Sequence, residues 1–322
     1  MPSSFCPEPD GAADELFLKP VGRSQAKVCQ SATKSTAQTQ LRGAPLITGG
    51  AGYPNCPREG ALQFRAMADA WNPEQYARFR AERAQPFFDL LALVAARPKL
   101  RAVDLGCGTG ELTQVLHQKL GCRETLGIDS SPAMLSKAAA AAGGGLRFEL
   151  GDIASFETPE PFDLIFSNAA VQWVPEHARV FERLLRALSP SGQLAVQMPA
   201  NHDFPSHVVA AEVAGREPFR TALCGYARQS PVLSAEHYAE LLHQLGFARQ
   251  HVRVQVYGHL LESSADVIEW VKGTLLTDYE KRMPPAVFAQ FLAVYREALL
   301  PQLSPRQPYF YPFKRLLLWA ER

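Results

Sequence analysis

One run, Val103-Asp104-Leu105-Gly106-Cys107-Gly108-Thr109-Gly110, constrains this chain more than any other. An apolar strand ends in an acid, three glycines follow at alternate positions, and a helix is predicted over Glu111 to Leu120. Glycine permits positive φ in a tight turn and removes the Cβ that holds a ligand away from the backbone. The start of the helix aims unpaired amides at the same spot and favours a negative group there. Such a strand-loop-helix unit belongs in an open parallel α/β sheet, where ligands gather at the carboxyl ends of strands.

Two cofactor classes use a loop of this kind. A dinucleotide site reads Gly-x-Gly-x-x-Gly. Here Gly110 comes one place early and Glu111 stands at the expected position, where an acid repels a pyrophosphate. Asp104 suits an ammonium instead. The loop therefore points to a ligand with a cationic amino-acid end, S-adenosylmethionine. Later strand ends carry matching groups. Glu124 to Asp129 reads as a second strand, and Asp129 can accept both hydroxyls of an adenosine ribose. Ser130-Ser131-Pro132 then opens a helix, with serine as cap and proline in the first turn. Leu146 to Ile153 reads as a third strand, with Asp152 for the adenine amino group and Ile153 for the ring face. The fourth, Phe162 to Asn168, is apolar enough to be buried on both faces and ends where donor meets acceptor. Gln193 to Met198 is the fifth. The cofactor candidates are Asp104, Gly106, Cys107, Gly108, Gly110, Asp129, Ser130, Met134, Asp152, Ile153 and Asn168.

The chain resembles the class I S-adenosylmethionine-dependent methyltransferases, and among them the trans-aconitate 2-methyltransferase family. Besides the glycine loop, the resemblance rests on Trp71-Asn72-Pro73-Glu74-Gln75-Tyr76 with Phe79 and Arg83, and on Gly127-Ile128-Asp129-Ser130-Ser131-Pro132. It continues through Asp163 to Ala170 with Gln172-Trp173, Leu194 to Pro199, Trp270-Val271-Lys272-Gly273-Thr274 and Pro312-Phe313-Lys314-Arg315-Leu316. It implies a doubly wound, mostly parallel seven-stranded sheet of Rossmann-like form with a helical substrate lid. It also implies that Tyr76 and Arg83, in a segment covering the cofactor, touch its methionine end. The activity implied is formation of a methyl ester on a small carboxylate. One departure is Thr277, near where the family carries an arginine. Alternative readings are a methyltransferase acting on another small molecule or an acyl-carrier-bound carboxylate, a non-catalytic S-adenosylmethionine-binding protein, and a nicotinamide oxidoreductase.

The 33 basic and 32 acidic residues give a formal charge of +1, with no basic stripe for nucleic acid. No apolar run has the length of a membrane span. The six cysteines are scattered without a Cys-x-x-Cys pair, which suggests neither a zinc site nor a disulfide framework and fits a reduced, cytoplasmic setting. Cys107 reads as a small side chain in a tight place rather than a nucleophile. No metal is expected, and a monomer fits. Residues 1–66 are rich in Ser, Thr, Gln, Ala and Pro without a sustained period, so they read as a disordered extension, with Met67 as a candidate start.

The methyltransferase domain is expected over residues 67–322, with the cofactor half over 67–200. Helices are predicted at Pro73 to Arg83, Pro86 to Ala96, Ser131 to Ala142, Pro175 to Leu188 and Ser234 to Leu245. Between a sixth strand (Gln250 to Leu260) and a last one (Leu316 to Glu321) lies a long insertion with helices at Ser264 to Leu276 and Pro285 to Leu300. Residues 201–235 and 262–312 are the expected lid. A carboxylate acceptor is ionised at neutral pH and needs no general base. It needs cations, best arginine, to aim it. Arg315 and Lys272 are the first substrate-orienting candidates, with Arg220 and, as a pocket wall, Trp173. Arg228, Arg282, Arg296 and Lys314 lie at the lid margins, and His202 and His207 are bases for an acceptor of another kind.

Overall fold

The acid-tipped apolar runs pair into one sheet in a computed structural model, which describes residues 80–322. Its strands are β1 (Arg101–Leu105), β2 (Glu124–Asp129), β3 (Leu146–Leu150), β4 (Phe162–Asn168), β5 (Leu188–Pro199), β6 (Arg249–Leu261) and β7 (Tyr309–Glu321). They lie in the order β3-β2-β1-β4-β5-β7-β6. The first five are parallel, and β7 enters antiparallel between β5 and β6. This is the doubly wound sheet expected, with its switch point beside β1 and β4.

Side chains alternate across a strand, and each face has its own cover. On one face, α1 (Arg80–Leu91) and α2 (Glu111–Leu120) pack Phe87, Leu90 and Leu116 against Ala102, Leu164, Phe166 and Leu317. The chain then runs from β2 into α3 (Pro132–Ala138). On the other face, α4 (His177–Arg186) and α7 (Ala235–Gln244) bring Phe181, Leu184, Tyr238 and Leu242 onto Val103, Ile165, Val196 and Leu316.

A second apolar cluster joins the two helical segments beside the sheet. It comprises α5 (Pro205–Ala214), α6 (Phe219–Ala222), α8 (Asp266–Lys272), α9 (Leu275–Arg282) and α10 (Pro285–Leu299). Val209, Phe219, Trp270, Tyr279, Phe291 and Tyr295 meet there with Tyr311 and Phe313 from β7.

Several boundaries differ from expectation. α1 runs unbroken through Pro86, where a break was predicted. A proline inside a helix costs about 3 kcal/mol, but full burial of Phe87 and Leu90 just after it returns roughly 1.5–3 kcal/mol each. β3 stops at Leu150, and Asp152 instead starts a 3₁₀ turn over Ile153–Ser155. The insertion's first predicted helix is divided into α8 and α9 around Gly273 and Thr274. β7 begins seven residues before Leu316, because its pairing with β6 continues to Leu261↔Tyr309 after that with β5 has ended at Pro199↔Arg315. Pro312 is accommodated there because β7 has a neighbour on one side only. Cys107 and Cys122 are buried and free. The 1–66 extension, Tyr76 and most of the Pro73 to Arg83 helix lie outside the described residues, as does the side chain of Arg83.

Candidate functional site

The glycine loop adopts the conformation its sequence requires. Gly106, Gly108 and Gly110 all have left-handed φ, at 82°, 56° and 77°. Their surroundings differ. A Cβ on Gly106 would lie 2.1 Å from the Ala170 Cβ, and one on Gly110 would lie 2.7 Å from the Phe148 ring and 2.8 Å from Ala138. A Cβ on Gly108 would meet nothing within 4 Å. Two of the three glycines therefore serve close packing within the protein. At Gly108 the same position is open space.

Asp129 holds this loop in place. Its Oδ2 accepts from the Gly108 N–H at 2.9 Å, and its Oδ1 from the Ser131 N–H at 2.9 Å. The Gly106 and Cys107 N–H groups donate to the Ile128 carbonyl at 2.7 and 3.0 Å. One carboxylate thus ties the loop after β1 to the start of α3. Ser131, rather than Ser130, caps that helix, accepting from the Met134 N–H at 3.3 Å. Ser130 is exposed and Met134 buried.

Asp104 is 4% exposed and accepts from the Thr113 hydroxyl at 2.6 Å. Burial, reinforced by the Asp129 charge, pushes its carboxyl up to about 7 against the opposing pull of Thr113. An ammonium brought to this point favours the ionised form. Burial, with Asp104 and Asp129 nearby, also raises the Cys107 thiol well above its ordinary range, so it stays protonated. Asp152 is exposed and accepts from the Ala154 N–H at 2.9 Å, while Ile153 is buried against the sheet core.

Strand register brings the remaining candidates to one face. Asp104 pairs with Gly127 on one side and Phe166 on the other. Asp129 and Asn168 each lie two residues beyond those partners, and Asn168 faces Gln197 on β5. Pro199, two residues further, faces Arg315. With side chains alternating, Asp104, Asp129, Asn168, Gln197 and Arg315 all sit on the face that α1 and α2 cover. Gln197 was missed by sequence reasoning. It stands inside the Leu194 to Pro199 stretch that carries the resemblance, as a polar residue in an apolar run.

The acceptor-side candidates divide. Arg315 is buried, its guanidinium 4.9 Å from the Phe313 ring centroid and 5.9 Å from that of Tyr257. Lys272 pairs with Glu269 at 2.6 Å along α8 and is 39% exposed, a partly exposed ion pair. Arg220 pairs with Glu217 at 2.9 Å and lines a cavity of about 230 Å³ with Tyr226, Arg228 and Tyr279. Trp173 ends the 3₁₀ turn just after β4, and the Arg228 guanidinium lies 5.6 Å from its ring centroid. Arg228 also approaches Asp278 on α9 at 3.6 Å, and Asp278 accepts from the Tyr226 hydroxyl at 2.5 Å. Arg228 thereby links the tip of β4 to the helical insertion. Thr277 donates to the Lys272 carbonyl at 2.8 Å and ties the end of α8 to α9. The packing around His207, with the Arg228 charge, lowers its imidazole to about 3. A group so weakly basic is a poor general base near neutral pH. Among the described residues, no three or more His, Cys, Asp or Glu side chains are grouped so as to hold a metal ion.

The Methyltransferase domain family matches residues 96–246, which span the glycine loop, Asp129, Asp152 and Asn168. The trans-aconitate 2-methyltransferase of Deinococcus radiodurans is 45% identical over 258 residues, covering 78% of this chain and 98% of the relative. This chain belongs to the trans-aconitate 2-methyltransferase family. The Methylobacterium nodulans member is 39% identical, covering 80% of this chain and 99% of that protein. The crystal structure of the YcgJ protein from Bacillus subtilis aligns with a TM-score of 0.51 at 16% identity, over 74% of this chain and 98% of that one, and bears on the fold alone. The chain is thus an S-adenosylmethionine-dependent methyltransferase, as its motifs predicted. No helix among the described residues is long and apolar enough to cross a membrane.

Proposed function

We propose that this enzyme methylates a carboxylate of a small polycarboxylate, with trans-aconitate, named in its relatives, as the leading acceptor. The donor lies along the strand tips of the 67–200 half: adenosine between Asp129, Asp152 and Ile153, the methionine end toward Asp104 and Asn168, and the backbone of Gly108 open to it. S-adenosylmethionine supplies a sulfonium whose methyl carbon is already electrophilic. A carboxylate oxygen bonds to that carbon as the carbon–sulfur bond breaks, and the electron pair leaves with sulfur. No proton moves, so no general base is needed. The protein's task is to aim the acceptor at about 3 Å from the methyl carbon and to exclude water.

Arg228 is the observation that carries the carboxylate reading. It places a guanidinium, 5.6 Å from the Trp173 ring centroid, at the junction of the β4 tip and a cavity shared with Arg220 and Tyr226. A planar fork suits two carboxylate oxygens, and a polycarboxylate supplies further anions for Arg220 and Arg315. Segments 201–235 and 262–312 supply the acceptor walls. The low basicity of His207 argues against an acceptor that must first lose a proton there. Incubation with methyl-labelled donor and a panel of di- and tricarboxylates tests this. Alkali-labile label on trans-aconitate or a close analogue is expected. Alkali-stable label, or no label on any carboxylate, contradicts it.

A further inference from the structure

Four buried polar atoms have no hydrogen-bond partner among the described residues and belong to one stretch of the site: Asn168 Oδ1, Gln172 Oε1, and both Nε2 and Oε1 of Gln197. Gln197 is wholly buried in β5, directly beside Asn168 on β4. Neighbouring strands run about 4.8 Å apart, so the two amides on the shared face are within reach of one ligand group. Leaving a buried polar group unsatisfied costs its desolvation without recompense. A strand that keeps a glutamine with neither end satisfied among the described residues, where leucine or methionine would pack, points to a partner outside them.

The orphaned set has a definite chemistry. It offers three acceptors and one amide donor group, and rotating the Gln197 amide leaves its own donor and acceptor in the set. Its complement is a donor-rich cation joined to an anion. Asp104, on the same face one strand beyond Asn168, adds negative charge for the cation. An ammonium bonded to the same carbon as a carboxylate meets all of these demands together.

We propose that Gln197 binds the α-amino acid end of the methyl donor, its Nε2 donating to the carboxylate and its Oε1 accepting from the ammonium. This rests on the placement of the donor at the strand tips. Gln197 then determines that the site takes an amino-acid-bearing nucleoside rather than a nucleoside alone. It does so from a strand whose motif otherwise reads as buried core.

Calorimetric titration of the full chain with S-adenosylhomocysteine and with 5′-methylthioadenosine, which lacks the amino-acid end, separates the possibilities. Wild type is expected to prefer S-adenosylhomocysteine. Gln197→Leu should lose about ten- to a hundredfold in affinity for it, while affinity for 5′-methylthioadenosine stays within about twofold. Gln197→Met, which keeps the length without the amide, should behave alike. Ligand-free melting temperatures of both variants should equal or exceed that of wild type, whereas a merely structural amide would lower them. Unchanged S-adenosylhomocysteine affinity in both variants, or an equal loss for the two ligands, overturns the assignment of Gln197 and leaves the donor site standing. Failure of wild type to bind either ligand overturns the donor site and this assignment with it.

Discussion

At the strand tips, Asp129 gives both carboxylate oxygens to backbone N–H groups, from Gly108 and Ser131. Beside the cavity lined by Arg220 and Arg228, Asp278 meets the Tyr226 phenol and the guanidiniums of Arg228 and Arg282. The first arrangement is set by backbone register and leaves little room to vary. The second is assembled from long side chains contributed by residues far apart in sequence. Under the proposed function, the contrast separates a fixed donor half from an adjustable acceptor half.

The sharpest way to break this comparison is at the glycine loop. Gly106→Ala combines left-handed strain with a collision against Ala170, and should destabilise the fold by about 2–5 kcal/mol. Gly108→Ala carries the strain alone, about 1–2 kcal/mol, yet should abolish tight S-adenosylhomocysteine binding because its methyl enters the open space. Thermal unfolding and calorimetry check the pair. Equal melting temperatures would show that Gly106 is not held by packing.

On the acceptor side, Arg228→Ala should raise the acceptor KM by ten- to a hundredfold, equivalent to about 1.5–3 kcal/mol for a hydrogen bond to a charged group. Donor affinity should hold, and Arg228→Lys should not restore the KM, since an ammonium lacks the planar fork. A parallel loss of donor binding would erase the division between the halves.

A smaller effect belongs to Asp104. With its carboxyl at about 7 in the ligand-free protein, it sheds a proton as pH rises from 6 to 7.5, and only the ionised form attracts an ammonium. S-adenosylhomocysteine affinity should therefore rise across this window, by roughly fivefold to tenfold, and Asp104→Asn should flatten the profile. The stability sign is opposite. The unfolded chain ionises near 4 while the fold retains the proton to about 7, so this group's contribution to stability declines as pH rises between the two. The smallest effect is expected at Lys272. Its exposed pair with Glu269 is worth under about 1 kcal/mol, and Lys272→Ala should leave both KM values unchanged in steady-state assays.

The same division governs what the sequence could disclose. Strand tips are legible because one short segment fixes both the apolar run and its terminal acid, as in Glu124 to Asp129. Register then follows from burial, which aligns Asp104, Asp129 and Asn168 without long-range knowledge. What stayed hidden depends on tertiary neighbours. The collision at Gly106 is with a residue sixty-four positions away, Ala170. The approach of Arg228 to the Trp173 ring follows no local spacing. The run of α1 through Pro86 depends on the sheet behind Phe87, and the extension of β7 to Tyr309 on a partner strand in β6. Gln197 left a trace, a polar residue in an apolar strand, but its meaning appears only beside Asn168.

The structure of the protein crystallised with S-adenosylhomocysteine tests the central claim most directly. The account predicts the ribose hydroxyls on Asp129, the amino-acid end between Asp104, Asn168 and Gln197, and the sulfur facing the Trp173–Arg228 side. A ligand bound elsewhere, or one whose ribose and amino-acid end make none of these contacts, would contradict it.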